Sequence, residues 1–195
     1  MDSTKMEVKG EAILSLPMFM IKKFGKDKYK RWLAGMPPYV RNVYQNPINK
    51  NEWFPMQDMI VEPTLQMCEL CYNNSLRGAW DCGRFSAEYS LKGIYKVLVK
   101  LRSPLVLIKK AQSILPAYYR PCEIDIPEHS KEHVIVHIKK FPNMTKVIEY
   151  RIAGWMERAI EITGCKHVTV NITKALSDYD KYTEYVIHWK RGFGK

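Results

Sequence analysis

Three cysteines in the first half of the chain have a spacing that could support metal or redox chemistry. Cys68 and Cys71 form a C-x-x-C pair, and Cys82 follows in the next helical stretch. A structural zinc site needs four ligands, which commonly come from two such pairs. Only three thiols lie close together here, and the pair falls in a helical pattern in which residues three apart share a face. We therefore interpret them as reduced thiols packed in a core, and we expect no metal and no cofactor.

Three histidines, His129, His133 and His137, recur every four residues. On a helix this spacing would place metal ligands on one face, but the alternating residues Val134 and Val136 are typical of a strand. Because a strand rises about 3.3 Å per residue, His133 and His137 would lie about 13 Å apart, too far to share an ion. We expect these histidines to be exposed or packed on a sheet.

Signatures of enzyme active sites are absent from the sequence. It has no Gly-x-Ser-x-Gly nucleophile elbow, and no Ser, His and Asp set that spacing alone would connect. The tail Gly192-Phe-Gly-Lys is too short for a phosphate-binding loop and lacks a flanking strand and helix. We therefore predict that the protein is not an enzyme.

Aromatic residues on several elements indicate an apolar pocket. Arg84, beside Gly83, would bind an anionic head group at its mouth, and Gly83→Leu would fill the pocket. The alternative for each residue is ordinary core packing, with a surface arginine. The predicted pocket residues are Trp80, Cys82, Gly83, Arg84, Tyr95, Tyr118, Tyr119 and Trp155.

The chain is strongly basic, with 31 Lys and Arg against 20 Asp and Glu and a formal net charge of +11 over 195 residues. Unpaired charges are too costly to bury, so the excess lies on the surface and favours an anionic partner. Lys22-Lys23 and the stretch from Lys26 to Arg31 are basic clusters, with Tyr29 and Trp32 interleaved as residues that could stack on bases. A solvated basic surface without a partner is the alternative, since no known nucleic-acid-binding signature is present.

The beginning of the sequence indicates a cytoplasmic protein. The first residues are polar, and the first apolar run, from Ala12 to Ile21, is interrupted by Pro17. That run is also shorter than the roughly 20 residues that span a bilayer. Five cysteines, an odd number in a chain without an export signal, are best explained as reduced thiols.

Helical patterns fill the first part of the chain. Glycine inside a helix costs about 1 kcal/mol relative to alanine, so Gly83 and Gly93 indicate places where a backbone or a ligand comes close. Trp53-Phe54-Pro55 is expected to form an aromatic turn. The predicted helices cover 18–24, ending at Gly25, and 27–34, 38–45, 57–72, 79–101 and 105–115.

The last third alternates strands and one helix. Strands are predicted over 122–126, 133–138, 166–173 and 182–190, and a helix over 145–163 ends at Gly164. We place Glu149, Arg151, Glu157 and Arg158 on its polar face. The β-β-α-β-β order indicates an α+β fold, in which an N-terminal helical layer packs on a C-terminal antiparallel sheet as one domain over residues 1–195.

Short motifs at both ends of the chain are similar to those of one known superfamily. Lys9-Gly-Glu-Ala-Ile-Leu, then Ile21-Lys-Lys-Phe-Gly-Lys, is similar to the Lys-Gly, apolar helix and Phe-Gly opening of haem-NO/oxygen-binding domains. Gly154-Trp-Met-Glu and the final strand Tyr185-Val-Ile-His-Trp resemble their shared ending. The chain thus resembles the haem-NO-binding/4-vinyl-reductase-like superfamily. Asp81-Cys-Gly-Arg-Phe-Ser-Ala is most similar to an uncharacterised bacterial branch, of the myxobacterial type.

This resemblance implies a helical layer over a sheet, with a pocket between them, and a dimer. Members include haem gas sensors, 4-vinyl-reductase domains that bind small aromatic molecules, and Golgi transport tethers that hold an acyl chain. Gas sensors need a proximal histidine in the first two-thirds of the domain and a Tyr-x-Ser-x-Arg strand before the last helix. Here no histidine precedes His129, and the strand reads Val134-Ile-Val-His-Ile-Lys-Lys. We therefore expect no inherited haem binding, and a haem held by Cys82 is the remaining haem alternative.

We expect a non-catalytic small-molecule-sensing or protein-interaction module with an apolar pocket between helices and sheet. Its partners would be a hydrophobic or aromatic small molecule and a second copy of the chain or another protein. The alternative is a basic domain that binds nucleic acid or an anionic membrane surface, and a cysteine-dependent metal or redox protein is a third option. The salt dependence of binding distinguishes the apolar-pocket hypothesis from the basic-surface hypothesis, because charge-driven binding weakens steeply as the salt concentration rises.

Overall fold

The structure, a computed structural model, describes residues 5–92 and 104–191. The first of these ranges is largely helical. Its elements are β1 (Glu7–Lys9), α1 (Gly10–Ile13), α2 (Ser15–Ala34), α3 (Pro38–Gln45), β2 (Trp53–Pro55), a π-helical turn (Gln57–Val61) that leads into α4 (Glu62–Tyr72), and α5 (Arg77–Lys92).

The second range contains most of the strands. Its elements are α6 (Pro104–Ile114), a 3₁₀ turn (Leu115–Ala117), β3 (Tyr119–Arg120), β4 (Glu123–His129), β5 (His133–Lys140), α7 (Lys146–Ile162), β6 (Lys166–Lys174), a second 3₁₀ turn (Leu176–Asp178) and β7 (Thr183–Lys190).

The predicted helices are confirmed where the structure describes them. Gly25 interrupts α2 with a φ of 82°, a conformation that glycine adopts easily and that separates the two helices predicted there. The long predicted helix is described as α5, and its continuation over 93–101, with Gly93 and Tyr95, lies outside the described residues.

The expected aromatic turn at Trp53-Phe54-Pro55 is wrong. These residues form β2, which pairs antiparallel with β1 so that Trp53 lies opposite Lys9. A three-residue strand is too short to show an alternating pattern, so only its distant partner reveals it. On the other side of β1, Val8 pairs with Tyr119 of β3, which gives a small sheet of order β2-β1-β3.

The main sheet is antiparallel, with the order β4-β5-β7-β6. In β5, Val134, Val136 and Ile138 are buried, and in β7 Tyr185 and Ile187 are buried, so alternate residues form one inner face. Helix α7 connects β5 to β6, and the chain order is therefore β-β-α-β-β. This confirms the predicted α+β fold.

Buried residues of the helical layer and of the sheet belong to one hydrophobic cluster. Such packing is expected of a single domain, and one domain over residues 1–195 stays our prediction. Among the described helices, none has the length and apolar character needed to cross a membrane.

Helices α5 and α7 lie in backbone contact at two glycines. A Cβ at Gly83 would lie 1.9 Å from the carbonyl oxygen of Arg151, and one at Gly154 would lie 2.1 Å from that of Trp80. No side chain fits at such distances, so glycine at both positions sets the spacing of the two helices. Gly83→Leu would therefore push α7 away, and it does not serve as the pocket-filling variant expected from the sequence.

We predict that Gly154→Ala lowers the free energy of unfolding by about 1–3 kcal/mol, because the added methyl group forces the two helix backbones apart. Urea denaturation followed by circular dichroism measures the change. Gly35→Ala is the matched control, since its Cβ would meet only the flexible end of the Gln66 side chain. An equal loss in both variants would contradict the prediction.

Candidate functional site

A cavity lies where α1, α5, α7 and residues 114–119 meet. Its empty volume, which includes the open solvent at its mouth, is about 510 Å³. The lining is mainly apolar and aromatic. It consists of Glu11, Ala12, Gly83, Ser86, Tyr89, Ser90, Ile114, Leu115, Tyr118, Tyr119, Arg151, Ile152 and Trp155.

Four of the predicted pocket residues, Gly83, Tyr118, Tyr119 and Trp155, lie in this lining. Pairing of β3 with β1 positions Tyr119 opposite Val8, and the Lys9 amide donates to the Tyr118 carbonyl at 2.9 Å. Strand β1 thereby holds this wall of the cavity next to α1.

The structure does not bring Trp80, Cys82 and Arg84 into the cavity lining, and Tyr95 lies outside the described residues. Trp80 and Arg84 are one helical turn apart and share a face of α5 that meets acidic residues of α7. The Trp80 indole donates to Glu157 at 2.8 Å. The cavity is lined by a different face of α5.

Arg84 is held by two carboxylates and is not at the mouth of the cavity. Its guanidinium pairs with Glu157 and, at 2.8 Å, with Glu161. Arg158 also bonds Glu161, at 2.8 Å, and Glu88 at 2.9 Å. Burial alone would raise the pKa of the Glu161 carboxyl, but the hydrogen bonds from Arg84 and Arg158 hold that pKa below its usual value.

Arg151 is a site residue that its sequence pattern did not reveal to us. We placed it on the polar face of α7, yet only 3% of it is exposed and it lines the cavity. Its guanidinium donates to Cys82 Sγ at 2.8 Å and to Ser15 Oγ at 2.9 Å. The available signal was its spacing, because Arg151 stands three residues after Ile148 and four before Trp155, within the apolar stripe.

Glu149, also expected on the polar face of α7, is 1% exposed. It accepts a hydrogen bond from Thr183 Oγ1 at 2.6 Å and another from the Ser177 hydroxyl. This carboxylate therefore anchors the loop between β6 and β7 to α7, away from the cavity.

Burial affects both thiols of the C-x-x-C pair. Burial raises the pKa of Cys68 to about 11, and it raises that of Cys71 as well. Both thiols therefore stay protonated at neutral pH, whereas nucleophilic and redox-active cysteines need the thiolate. Within residues 5–92 and 104–191, no cluster of His, Cys, Asp and Glu has the arrangement of a metal site.

The predicted strand placement of the histidines is confirmed. His133 and His137 lie on the face of β5 opposite to its buried residues, and each has its own partner. His133 stacks on His188 of β7 with ring centroids 4.7 Å apart, and His137 Nε2 lies 2.7 Å from a Glu184 carboxylate oxygen. They do not converge on one point.

Neither a family model nor a curated protein matches the sequence. Solved structures do. An H-NOX protein from S. oneidensis in its Fe(II)NO ligation state superposes with a TM-score of 0.73 at 10% identity, over 94% of this chain and 99% of that one. The Fe(II) unliganded H-NOX protein from K. algicida gives a TM-score of 0.68 at 8% identity, over 96% and 99% of the two chains. The chain has the H-NOX fold. Identity this low establishes the shared fold alone.

The described cavity residues lack the histidine that commonly holds a haem. Of the residue types that serve as axial ligands of haem iron, the described lining contains tyrosine, at Tyr89, Tyr118 and Tyr119, but no histidine, cysteine or methionine. The histidines of β5 lie on the far face of the sheet, and the Cys82 sulfur is fully buried against Arg151. The described part of the cavity therefore offers a haem no histidine, cysteine or methionine.

We predict that Glu161→Gln lowers the free energy of unfolding by about 1 kcal/mol at pH 7, because it removes a partner of two arginines. The lowered pKa means that this contribution is present above the unfolded value, near 4.5, and is lost as the pH falls through the folded value. The difference between wild type and variant at pH 7 should therefore shrink at a pH well below 4.5 in urea denaturation. Glu69→Gln, at an exposed position of α4, is the control and should change little at either pH.

Proposed function

We propose that the protein is a non-catalytic module that binds a small apolar or aromatic molecule in the cavity between α5, α7 and residues 114–119, and that binding is its means of sensing. The observation that carries this proposal is the lining, in which Leu115, Ile152 and Trp155 form an apolar surface edged by a few hydroxyl groups. Sites for small molecules typically combine these features.

The position of the cavity supports a sensing role. Its walls come from α1, from β3 of the small sheet, and from α7, which lies next to the main sheet. A ligand that contacts all of these elements would favour one relative arrangement of them over another, which is how binding shifts a conformational equilibrium. The H-NOX proteins of the same fold were solved in defined ligation states.

An apolar groove adjoins the cavity. Leu115 and Trp155 line both, and beyond them the groove continues along Val136 and Ile187 of the main sheet. A homodimer or a partner protein as the receiver of the signal stays a prediction, which light scattering of the purified protein tests.

We predict that Ser86→Leu weakens binding of the neutral fluorescent probe N-phenyl-1-naphthylamine about tenfold or more, because the larger side chain occupies the cavity. Fluorescence titration gives the Kd. Ser113→Leu is the matched control, since Ser113 is exposed on α6 and does not line the cavity. The proposal fails if the wild-type protein does not bind the probe, or if both variants bind it as well as wild type.

A second function, binding of nucleic acid or an anionic membrane, is favoured by the surface of α2. Lys26, Lys30 and Arg31 are exposed there, and none forms an ion pair with another described residue. Trp32 does not stack on a ligand as expected from the sequence, because it is fully buried and its indole donates to the Pro63 carbonyl at 2.8 Å. Tyr29 is partly buried, with its ring centroid 5.8 Å from that of Trp32. This candidate therefore depends chiefly on charge.

For this second function we predict steep salt dependence and a local charge effect. Binding of a fluorescent single-stranded oligonucleotide, or of anionic vesicles, should fall by more than tenfold between low and physiological salt. Lys26→Glu with Lys30→Glu should weaken it further. Lys50→Glu with Lys131→Glu makes the same change in net charge at other exposed sites, and an equal effect there would argue against a surface on α2.

A further inference from the structure

Arg151 is a buried cation surrounded by neutral groups. Besides Cys82 and Ser15, its guanidinium contacts the Ala12 carbonyl oxygen at 3.4 Å. Burial raises the pKa of the Cys82 thiol more than Arg151 lowers it, so the sulfur is protonated at neutral pH and does not balance the charge. Buried charges in proteins are normally paired with an opposite charge, since an isolated one is costly to desolvate.

No carboxylate takes that place in the part of the chain that the structure describes. The ion pairs of α7 use Lys146, Glu157, Arg158 and Glu161, and none of them includes Arg151. Of the residues outside the described ranges, 93–103 contain no acidic side chain, and Asp2 is the one acidic side chain in the terminal segments. The other charged residue of the cavity lining, Glu11, is half-buried and forms no described ion pair.

The unpaired cation belongs to the cavity wall. Arg151 lines the cavity, and so does Ala12, whose carbonyl it contacts. Tyr119, which also lines the cavity, interacts with Arg151 through its hydroxyl group. The guanidinium has five N–H donors. The Cys82 thiol is a weak acceptor, and the hydrogen bond to the Ala12 carbonyl oxygen is long at 3.4 Å, so a stronger acceptor can replace both.

We propose that the cavity binds an apolar carboxylic acid, whose carboxylate pairs with Arg151 and whose body lies against Leu115, Ile152 and Trp155. This inference rests on the proposed function and names the chemical class of its ligand. A planar guanidinium matches a carboxylate with two parallel hydrogen bonds, which makes arginine the side chain best suited to this class of anion. The adjoining groove beyond Leu115 and Trp155 leaves room for the end of the apolar body.

Two probes of the same shape test whether the cavity prefers a ligand with a negative charge. Calorimetric titration of the full chain with 2-naphthoate and with its neutral isostere 2-naphthamide compares molecules that differ in one negative charge. A charge-assisted hydrogen bond predicts that the naphthoate binds about tenfold or more tightly than the amide. This comparison needs only the wild-type protein, so it decides the question even if a variant at position 151 does not fold.

Two arginine variants of α7 localise the effect. Arg151→Met keeps an unbranched side chain but removes the guanidinium and its charge, and it should abolish the preference for naphthoate while 2-naphthamide still binds. Arg158→Met removes the same charge two turns further along, from a residue that pairs with Glu88 and Glu161 outside the cavity, and should leave the preference unchanged.

The outcomes show whether the carboxylate assignment fails by itself or together with the proposed function. Equal affinity for the two probes would overturn the carboxylate assignment and leave an apolar binding site. A preference that survives in Arg151→Met and disappears in Arg158→Met would also overturn it. If neither probe binds the wild-type protein, the proposed function falls together with the inference.

Discussion

The backbone contact between α5 and α7 is the constraint on which the rest of this structure depends. Two glycines, Gly83 and Gly154, each remove a side chain where the opposite helix passes. Because the helices approach so closely, the wall of α5 that carries Ser86 and Ser90 faces Trp155, and the cavity forms beside the contact. On another face of the pair, the same proximity joins Arg84 to Glu157 and Glu161.

Helix α7 buries two oppositely charged residues, Glu149 and Arg151, only two positions apart in the sequence, and their hydrogen-bond partners differ in kind. Glu149 is satisfied by hydroxyl donors, Thr183 among them, and fixes a loop of the main sheet. Arg151 has neutral neighbours and borders a cavity. Both groups are costly to desolvate. The difference in their surroundings separates a structural carboxylate from a cation that is available to a ligand.

The H-NOX fold in this chain holds a cavity whose described lining contains no histidine, cysteine or methionine. Fold and function are separable, because the ligand is chosen by the side chains of a cavity and not by the order of helices and strands. The small sheet and the helix pair place a cavity between them, lined by aromatic and aliphatic residues with one guanidinium. The histidines lie on the outer face of the main sheet instead.

Sequence patterns alone determined the helices, the β-β-α-β-β order and the strand that separates the histidines, because hydrophobic periodicity reports local geometry directly. Tyr118, Tyr119 and Trp155 were also recognised as pocket residues from their type and their elements. Only the tertiary structure showed that Arg84 is held by carboxylates and that Arg151 is buried at the cavity. Periodicity defines the face of a helix on which a residue lies, but what covers that face depends on segments far away in the chain. The three residues of β2 are a second example, because their pairing with β1 depends on a distant segment and leaves no pattern in the neighbouring sequence.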